Sequence, residues 1–177
     1  MFIQNSYRFG GAVATLLLDT YTGAVAAYSL RKLKTGVTNV VRVRRSSDNT
    51  EQNFTATDIT DGTLTTFTGS NDGFVTIWYD QTGNINVVQA TANNQPQLVN
   101  NGVVILDNGK PTVFYGLNST ASIKSLGTSS QYIIAQPTNY FSVARLNTDN
   151  ASFLFDRRTS GSSERQSFLE GFGSVGV

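Results

Sequence analysis

The sequence feature that most constrains the fold is a run in the first half of the chain, Phe74-Val75-Thr76-Ile77-Trp78-Tyr79. The run is rich in β-branched and aromatic residues, which favour extended strands. Side chains alternate between the two faces of a strand, and here both faces are largely apolar. Such a strand needs cover on both sides, so the run predicts an inner strand of a layered sheet.

Similar runs recur along the chain. Strands are predicted at residues 39–45, 102–107, 110–115, 131–135, 140–146, 152–156 and 166–172. The dipeptide Asn108-Gly109 separates two of them and favours a type I′ turn, so it predicts a hairpin. Short strands separated by turn residues at this spacing indicate an all-β sandwich or barrel. The residues expected in its core are Leu30, Val41, Val43, Phe74, Val75, Ile77, Val104, Leu106, Val113, Phe141, Val143, Phe153 and Phe155.

One segment near the N-terminus predicts a short helix. Residues 24–34 are rich in Ala, and Leu30 and Leu33 stand three positions apart, as on one face of a helix. The segment closes with basic residues, which favour the negative end of a helix dipole. Gly36 follows as a stop signal.

The first residues, 1–11, form a separate segment ahead of the sandwich predicted over residues 12–177. Their large apolar residues are Phe2, Ile3, Tyr7 and Phe9. The segment predicts an anchor that docks onto another protein, and a strand of the home domain is the alternative. No basic region followed by an apolar stretch begins the chain, so no signal peptide is predicted. The chain stops in strand-like sequence, which favours a sandwich truncated at this end and a longer native polypeptide.

The chain contains no Cys and no His among its 177 residues. Zinc and iron–sulfur sites, disulfides, and thiol or Ser–His–Asp catalysis therefore lack a required residue. No metal-ligand spacing and no phosphate loop are present either, so neither a metal nor a cofactor is expected. Acid–base chemistry is left to carboxylates, Lys or Tyr. No apolar stretch is long enough to span a bilayer, so no membrane partner is expected.

Basic residues cluster at Arg31, Lys32, Lys34, Arg42, Arg44 and Arg45. Such a group could meet phosphates. The net charge of the whole chain is only +1, however, and acidic residues lie close by in sequence. Arg–carboxylate pairs within the fold are therefore favoured over nucleic-acid binding.

The apolar run continues into a polar turn, and this junction is the candidate binding motif. Its candidate glycan-binding residues are Trp78, Tyr79, Asp80, Gln81 and Asn84. In one interpretation the aromatic faces stack on sugars while the polar side chains bond sugar hydroxyls. In the other, the aromatics belong to the core, and Asp80 and Asn84 bond backbone N–H groups of a structural turn.

Carboxylates that could serve a glycosidase are Asp80, Asp107, Asp156, Glu164 and Glu170. A glycosidase needs two carboxyl groups about 5–9.5 Å apart, and the sequence alone pairs none of these. Several Asp residues stand in turn contexts such as Asp107-Asn108-Gly109, where a structural role suffices.

Five segments, at residues 26–33, 41–48, 76–84, 94–96 and 108–111, occur in an order that resembles a group of bacteriophage virion proteins. The resemblance implies a concanavalin-like, laminin-G-like jelly roll of two antiparallel sheets, carried on a fibre or another decoration. The same pattern resembles the catalytic sandwich of the family-54 α-L-arabinofuranosidases, in which Arg-Arg-Ser-Asp and Tyr-Asp-Gln-Ser-Gly segments recur.

The departures from the enzyme family concern its chemistry. That family carries vicinal cysteines at the substrate site, and this chain has none. The resemblance would place the nucleophile at Glu170 and the acid beyond residue 177. A hydrolase would therefore need a second carboxylate from elsewhere, Asp80 or Asp156. The resemblance implies the fold more than the activity.

The expected function is that of a phage virion structural protein, a fibre or decoration made in the host cytoplasm. Its lectin-like sandwich would serve assembly or host-surface attachment. The alternatives are a glycoside hydrolase of arabinofuranosidase type and a non-catalytic glycan-binding module of a larger protein. The resemblance implies a homotrimer, with capsid or tail proteins and a host surface glycan as partners.

Overall fold

The computed structural model describes residues 15–116, 124–128, 139 and 141–145, and the backbone of residues 153–158 and 165–170. Its helices are α1 (Leu17–Thr20), α2 (Thr63–Thr68) and a 3₁₀ turn at Ala92–Asn94. Its strands are β1 (Val41–Arg45), β2 (Glu51–Phe54), β3 (Gly73–Trp78), β4 (Val87–Val88), β5 (Gln97–Asn100), β6 (Val103–Val104), β7 (Leu106–Asp107), β8 (Lys110–Pro111), β9 (Gly127–Thr128), β10 (Phe153–Arg158) and β11 (Arg165–Glu170).

Seven strands form the main sheet, in which β2, β1, β3, β4 and β9 lie side by side and β5 joins β3 to β6. Two further two-stranded sheets pair β7 with β8 and β10 with β11. Every pair is antiparallel. Strand β3 has β1 on one side and β4 and β5 on the other, which confirms its predicted inner position. The described part of the chain is thus an antiparallel, mostly β structure, as the all-β prediction states.

The core forms where one face of this sheet meets α2. Val43 pairs with Val75 and Val41 with Phe54, so these four side chains project from the same face, and all are fully buried. Leu64 of α2 belongs to the same buried cluster. Full burial of each such side chain contributes about 1.5–3 kcal/mol, so this contact supplies much of the stability of the sheet.

The predicted hairpin at Asn108-Gly109 is confirmed, with β7 and β8 on either side of the dipeptide. Asn108 has a φ of 48° and Gly109 a φ of 72°. A type I′ turn needs a positive φ at both central positions, and these two residue types tolerate it best. Leu106 is nevertheless 57% exposed in this hairpin, so its predicted core position is wrong.

The predicted helix over residues 24–34 is wrong. The segment contains bends and irregular residues but no helical turn. Its backbone groups bond instead to the turn that follows β3, where Gln81 receives the N–H of Leu33 and donates to two carbonyls. These long-range bonds replace the bonds within the segment that a helix would make, and tertiary contacts of this kind override local propensity.

Eight other residues predicted in the core lie within residues 15–116, and all of them are fully or partly buried. Val41, Val43 and Val75 are fully buried, as predicted. Leu30, Val104 and Val113 pack against the core while partly buried, and Phe74 and Ile77 are also half-buried. Phe74 takes this position because it projects from the other face of β3, beneath the guanidinium of Arg44.

The core positions predicted for Phe141 and Val143 are wrong. Both residues are fully exposed, with relative accessibilities of 97% and 104%. The strand predicted over residues 140–146 is also absent from the described residues 141–145. Alternation alone does not bury a segment, because a strand also needs a neighbour for its backbone groups. The predicted strands at 152–156 and 166–172 correspond to β10 and β11. The predicted strand 131–135, the side chains of Phe153 and Phe155, and the anchor residues Phe2, Ile3, Tyr7 and Phe9 lie outside what is described.

Candidate functional site

Asp80 lies at the centre of the turn that follows β3 and is only 6% exposed. Its carboxylate accepts hydrogen bonds from the backbone N–H groups of Ala27 (2.8 Å), Thr82 (2.9 Å), Asn84 (3.0 Å) and Ile85 (3.0 Å), and from the Thr82 hydroxyl (2.6 Å). One side chain therefore ties the whole turn together and joins it to residue 27. Four backbone N–H groups of this part-buried turn are satisfied in this way.

The pKa of Asp80 lies below its usual range. Burial by itself raises the pKa, but the hydrogen bonds from Thr82, Ala27 and Ile85 favour the charged form and outweigh burial. The carboxylate is therefore ionised at neutral pH and has no proton to give. A general acid needs the opposite arrangement, with a raised pKa.

Gln81 performs the same function for the segment before β1. The side chain is 1% exposed. Its Oε1 accepts the backbone N–H of Leu33 at 2.7 Å, and its Nε2 donates to the carbonyls of Ser29 at 2.9 Å and Arg31 at 2.7 Å. The backbone of Gln81 also donates to the carbonyl of residue 27 at 2.8 Å. We call Asp80 and Gln81 the polar clamp, because together they hold residues 27–33 against the turn.

The five candidate glycan-binding residues fall into different places. The two clamp residues are buried and bonded within the fold, so these contacts match the interpretation of a structural turn. Trp78 lies half-buried against Tyr28, with the ring centroids 6.2 Å apart and the planes tilted by 57°. The Trp78 Nε1 atom is buried and has no hydrogen-bond partner within the described part of the chain.

The other two candidates lie nearer to solvent. Tyr79 donates its hydroxyl to Asn53 Oδ1 at 2.8 Å, on the side of β2. Asn84 is exposed, and its Nδ2 donates to the carbonyl of Val25 at 2.8 Å. Among the five, Asn84 alone lines a pocket described below. The five candidate residues therefore differ in burial and in the segments that they contact.

A pocket of about 230 Å³ lies beside the turn, between α1 and the polar clamp. Its lining residues are Leu18, Tyr21, Thr22, Ala24, Lys34, Thr82 and Asn84. Tyr21 is 67% exposed. Sequence reasoning missed Tyr21 as a site residue and noted Lys34 only as part of the basic cluster, because the two residues join this pocket only through long-range contacts of the folded chain.

The walls of the pocket are fixed by the polar clamp and by α1. Helix α1 is attached to the clamped segment by the N–H of Leu18, which donates to the carbonyl of Leu33 at 2.9 Å. The Asp19 carboxylate accepts the N–H of Thr35 at 3.0 Å and its hydroxyl at 2.6 Å. These hydrogen bonds lower the pKa of Asp19. The pocket is therefore formed by three segments that are already bonded to one another.

A wider hollow of about 410 Å³ lies against α2 and is lined by Gln52, Asp61, Gly62, Thr63, Thr66 and Phe67. Its carboxylate, Asp61, accepts the N–H of Thr63 at 2.9 Å at the start of the helix. That bond lowers the pKa of Asp61 and engages its carboxylate in the turn that leads into the helix. Nothing in this lining brings a cation or a second carboxylate to the hollow.

The carboxylates of residues 15–116 are all engaged within the fold. Those that accept a backbone N–H are Asp19, Asp48, Asp58, Asp61, Asp72 and Asp80. The other two, Glu51 and Asp107, pair with Arg42 and Arg145. Among the described residues no cluster of three or more carboxylates could hold a metal ion. The side chains of the catalytic candidates Asp156, Glu164 and Glu170 lie outside the description.

The basic residues of β1 are also used within the fold. Arg42 pairs with Glu51 at 2.6 Å, and Arg45 pairs with Asp48 at 2.6 Å, as the sequence favoured. Arg44 instead donates to the buried amide of Gln95 at 2.7 Å and lies 5.0 Å from the centre of the Phe74 ring. These contacts occupy the guanidinium groups that a phosphate backbone would need.

Comparison of the chain with protein-family models, with curated proteins and with solved structures finds no match. The resemblance to phage virion proteins and to arabinofuranosidases therefore stays a prediction. Within the described residues, no helix has the length and apolar character needed to cross a bilayer.

Proposed function

We propose that this chain is a non-catalytic module of a phage virion, a fibre or a decoration, with a jelly-roll sandwich that serves assembly or host-surface attachment. The virion assignment is supported by the ordered segments that resemble virion proteins. The non-catalytic assignment is supported by one structural observation, the full engagement of Asp80 inside its turn.

Asp80 is the described carboxylate best placed to serve a hydrolase, since it follows an aromatic strand end in a segment that resembles the enzyme family. A catalytic carboxylate needs at least one oxygen directed toward substrate or water. Here both oxygens accept bonds from the protein, and the lowered pKa opposes a role as acid. The second described candidate, Asp107, pairs with Arg145 at 2.7 Å. The hydrolase alternative is left with Asp156, Glu164 and Glu170.

A glycan-binding module of a larger protein is the second candidate function. The pocket beside the polar clamp favours it, because an exposed aromatic ring, a cation and an amide meet there on fixed segments. Binding at one such small site is weak, so a module of this kind acts through several copies. A homotrimer anchored through residues 1–11 to a capsid or tail would supply them.

The test of the proposed function is cryo-electron microscopy of particles purified from the host that produces the chain. We expect a symmetric oligomer with its sandwich facing outward. A chain that is absent from particles and accumulates as a free monomer would contradict the virion assignment. Deletion of residues 1–10 should abolish incorporation, and unchanged incorporation would contradict the anchor.

A further inference from the structure

We propose that the pocket between α1 and the polar clamp binds one acidic sugar residue, such as a uronic or sialic acid, of a surface polysaccharide. The residues that would contact the sugar are Tyr21, Lys34 and Asn84. The inference rests on the proposed attachment role, to which it adds the class of ligand and the contacting side chains.

The size of the pocket suits a single sugar unit. Its volume is about 230 Å³, whereas pockets for drug-sized ligands measure roughly 300–1,000 Å³. It opens on the surface beside the exposed Tyr21, so the rest of a polysaccharide could continue into solvent. A pocket for one residue of a chain needs this combination of a small volume and an open side.

The lining offers the three kinds of contact that a sugar acid requires. The ring of Tyr21, 67% exposed, presents an apolar face to the C–H groups of a sugar. Asn84 already donates its Nδ2 to Val25, so its Oδ1 is the atom that accepts a sugar hydroxyl. The ammonium of Lys34 donates to a carboxylate, and a charge-assisted bond of this type is stronger than a neutral one.

The charge of the pocket selects an acid over a neutral sugar. Among the described residues that line it, Lys34 is the single charged one and none is a carboxylate. Asp19 and Lys32 lie close enough for their charges to act together with that of Lys34. The carboxylates of Asp19 and Asp80 are both engaged within the fold, Asp19 with Thr35 and Asp80 with Thr82 and Asn84. A bound carboxylate would pair with the Lys34 ammonium.

The binding groups are also held in place before a ligand arrives. Thr82 and Asn84 lie two and four residues after Asp80, and their backbone N–H groups donate to its carboxylate. Lys34 follows Leu33, which Gln81 holds. A site whose groups are fixed in advance loses less conformational entropy on binding. Asp80 and Gln81 are therefore positioning residues of this site and do not contact the sugar.

The test uses the full chain and two matched pairs of probes: trigalacturonate with its neutral methyl ester, and sialyllactose with lactose. Calorimetric titration at low salt should show that at least one acid binds more tightly than its neutral counterpart. Lys34→Gln should weaken binding of that acid about tenfold and leave the neutral probe unchanged. Tyr21→Ala should weaken both members of the pair. Lys110→Gln, an exposed lysine of the β7–β8 hairpin, is the matched control and should change neither.

Absence of binding by both acids would overturn the inference, and so would equal behaviour of Lys34→Gln and Lys110→Gln. Circular dichroism spectra and urea midpoints that match the wild type would show that the variants fold. Incorporation of Lys34→Gln into particles separates the two proposals. A chain that enters particles but binds neither acid contradicts only the sugar site. A chain that binds the acid but is absent from particles contradicts only the virion assignment.

Discussion

The face of the main sheet beneath α2 and the segment held by the polar clamp are stabilised in different ways. At the sheet, backbone bonds follow a regular ladder, and fully buried side chains such as Val43, Phe54 and Val75 pack together. At the clamp, residues 27–33 have no regular structure, and the side chains of Asp80 and Gln81 satisfy their backbone groups. The sheet depends on many weak apolar contacts, whereas the clamp depends on two polar side chains.

This difference explains how each region tolerates change. Apolar contacts are non-directional, so a core can absorb a substitution of similar volume at modest cost. Hydrogen bonds to buried groups are directional, and removal of one partner leaves the other unsatisfied. We therefore expect the sheet to respond mainly to changes in volume, and the clamp to respond to changes of a single atom.

The largest effect is expected in the sheet. Phe54→Ala removes a fully buried ring that lies 5.3 Å from the ring of Phe67, centroid to centroid. The free energy of unfolding should fall by about 3–5 kcal/mol, because both the transfer term and a cavity contribute. Urea unfolding followed by circular dichroism measures it. Val103→Ala, at a side chain 68% exposed, is the control and should stay within about 0.5 kcal/mol. A loss below about 1 kcal/mol in Phe54→Ala would mean that the surrounding core relaxes to fill the cavity.

The next largest effect is expected in the polar clamp, from a substitution that hardly changes the volume of the side chain. Asp80→Asn keeps the shape of the side chain but places an NH₂ group against backbone N–H donors. The free energy of unfolding should fall by about 2–4 kcal/mol, because several part-buried backbone donors lose their charged acceptor at once. Asp107→Asn, whose partner is the exposed Arg145, serves as the matched control and should cost no more than about 1 kcal/mol. Equal losses of unfolding free energy in the two variants would show that the Asp80 carboxylate stabilises the fold no more than a surface ion pair does.

Acid should weaken the clamp before it weakens the sheet. The folded pKa of Asp80 lies below its ordinary value of 3.8. Its contribution to stability is therefore complete above about pH 4 and is lost as the pH falls through the folded pKa. The difference in unfolding free energy between wild type and Asp80→Asn should shrink from pH 6 to pH 3. A difference that stays constant over this range would show that Asp80 contributes no charge-dependent stability.

The smallest effect is expected on the exposed face of the sheet. Arg42 and Glu51 form an ion pair of 2.6 Å, and the two side chains are 36% and 34% exposed. Such pairs contribute about 0–1 kcal/mol and are screened by salt. A double-mutant cycle of Arg42→Gln and Glu51→Gln should give a coupling energy in that range, falling at high salt. A salt-independent coupling above about 2 kcal/mol would show that this face depends on polar contacts, as the polar clamp does.

The same difference governs how far sequence alone predicts this molecule. Strands β1 and β3 and the turn at Asn108-Gly109 follow from local signals, because alternation and turn chemistry act over a few residues. The segment at residues 24–34 has good helix propensity, yet two side chains about 50 positions away set its conformation. No local pattern encodes such a bond.

The candidate site shows this limit most clearly. Asp80 and Asn84 were noted from sequence because turn chemistry marks them, and the choice between a sugar rim and a structural turn stayed open. The contacts of Asp80 match the turn. Tyr21 belongs to no motif and Lys34 only to the basic cluster, since the pocket exists only after α1 bonds to the clamped segment. A site assembled from three separate segments is visible only in the folded chain.

Trp78 is the single tryptophan of the chain, and it precedes the polar clamp by two residues. Its indole lies half-buried against Tyr28, with a buried Nε1 atom. The intrinsic fluorescence of the protein therefore originates beside the region that two polar side chains maintain. Loosening of that region would admit water to the indole and shift its emission to longer wavelengths, so local opening of the clamp can be followed optically without a label.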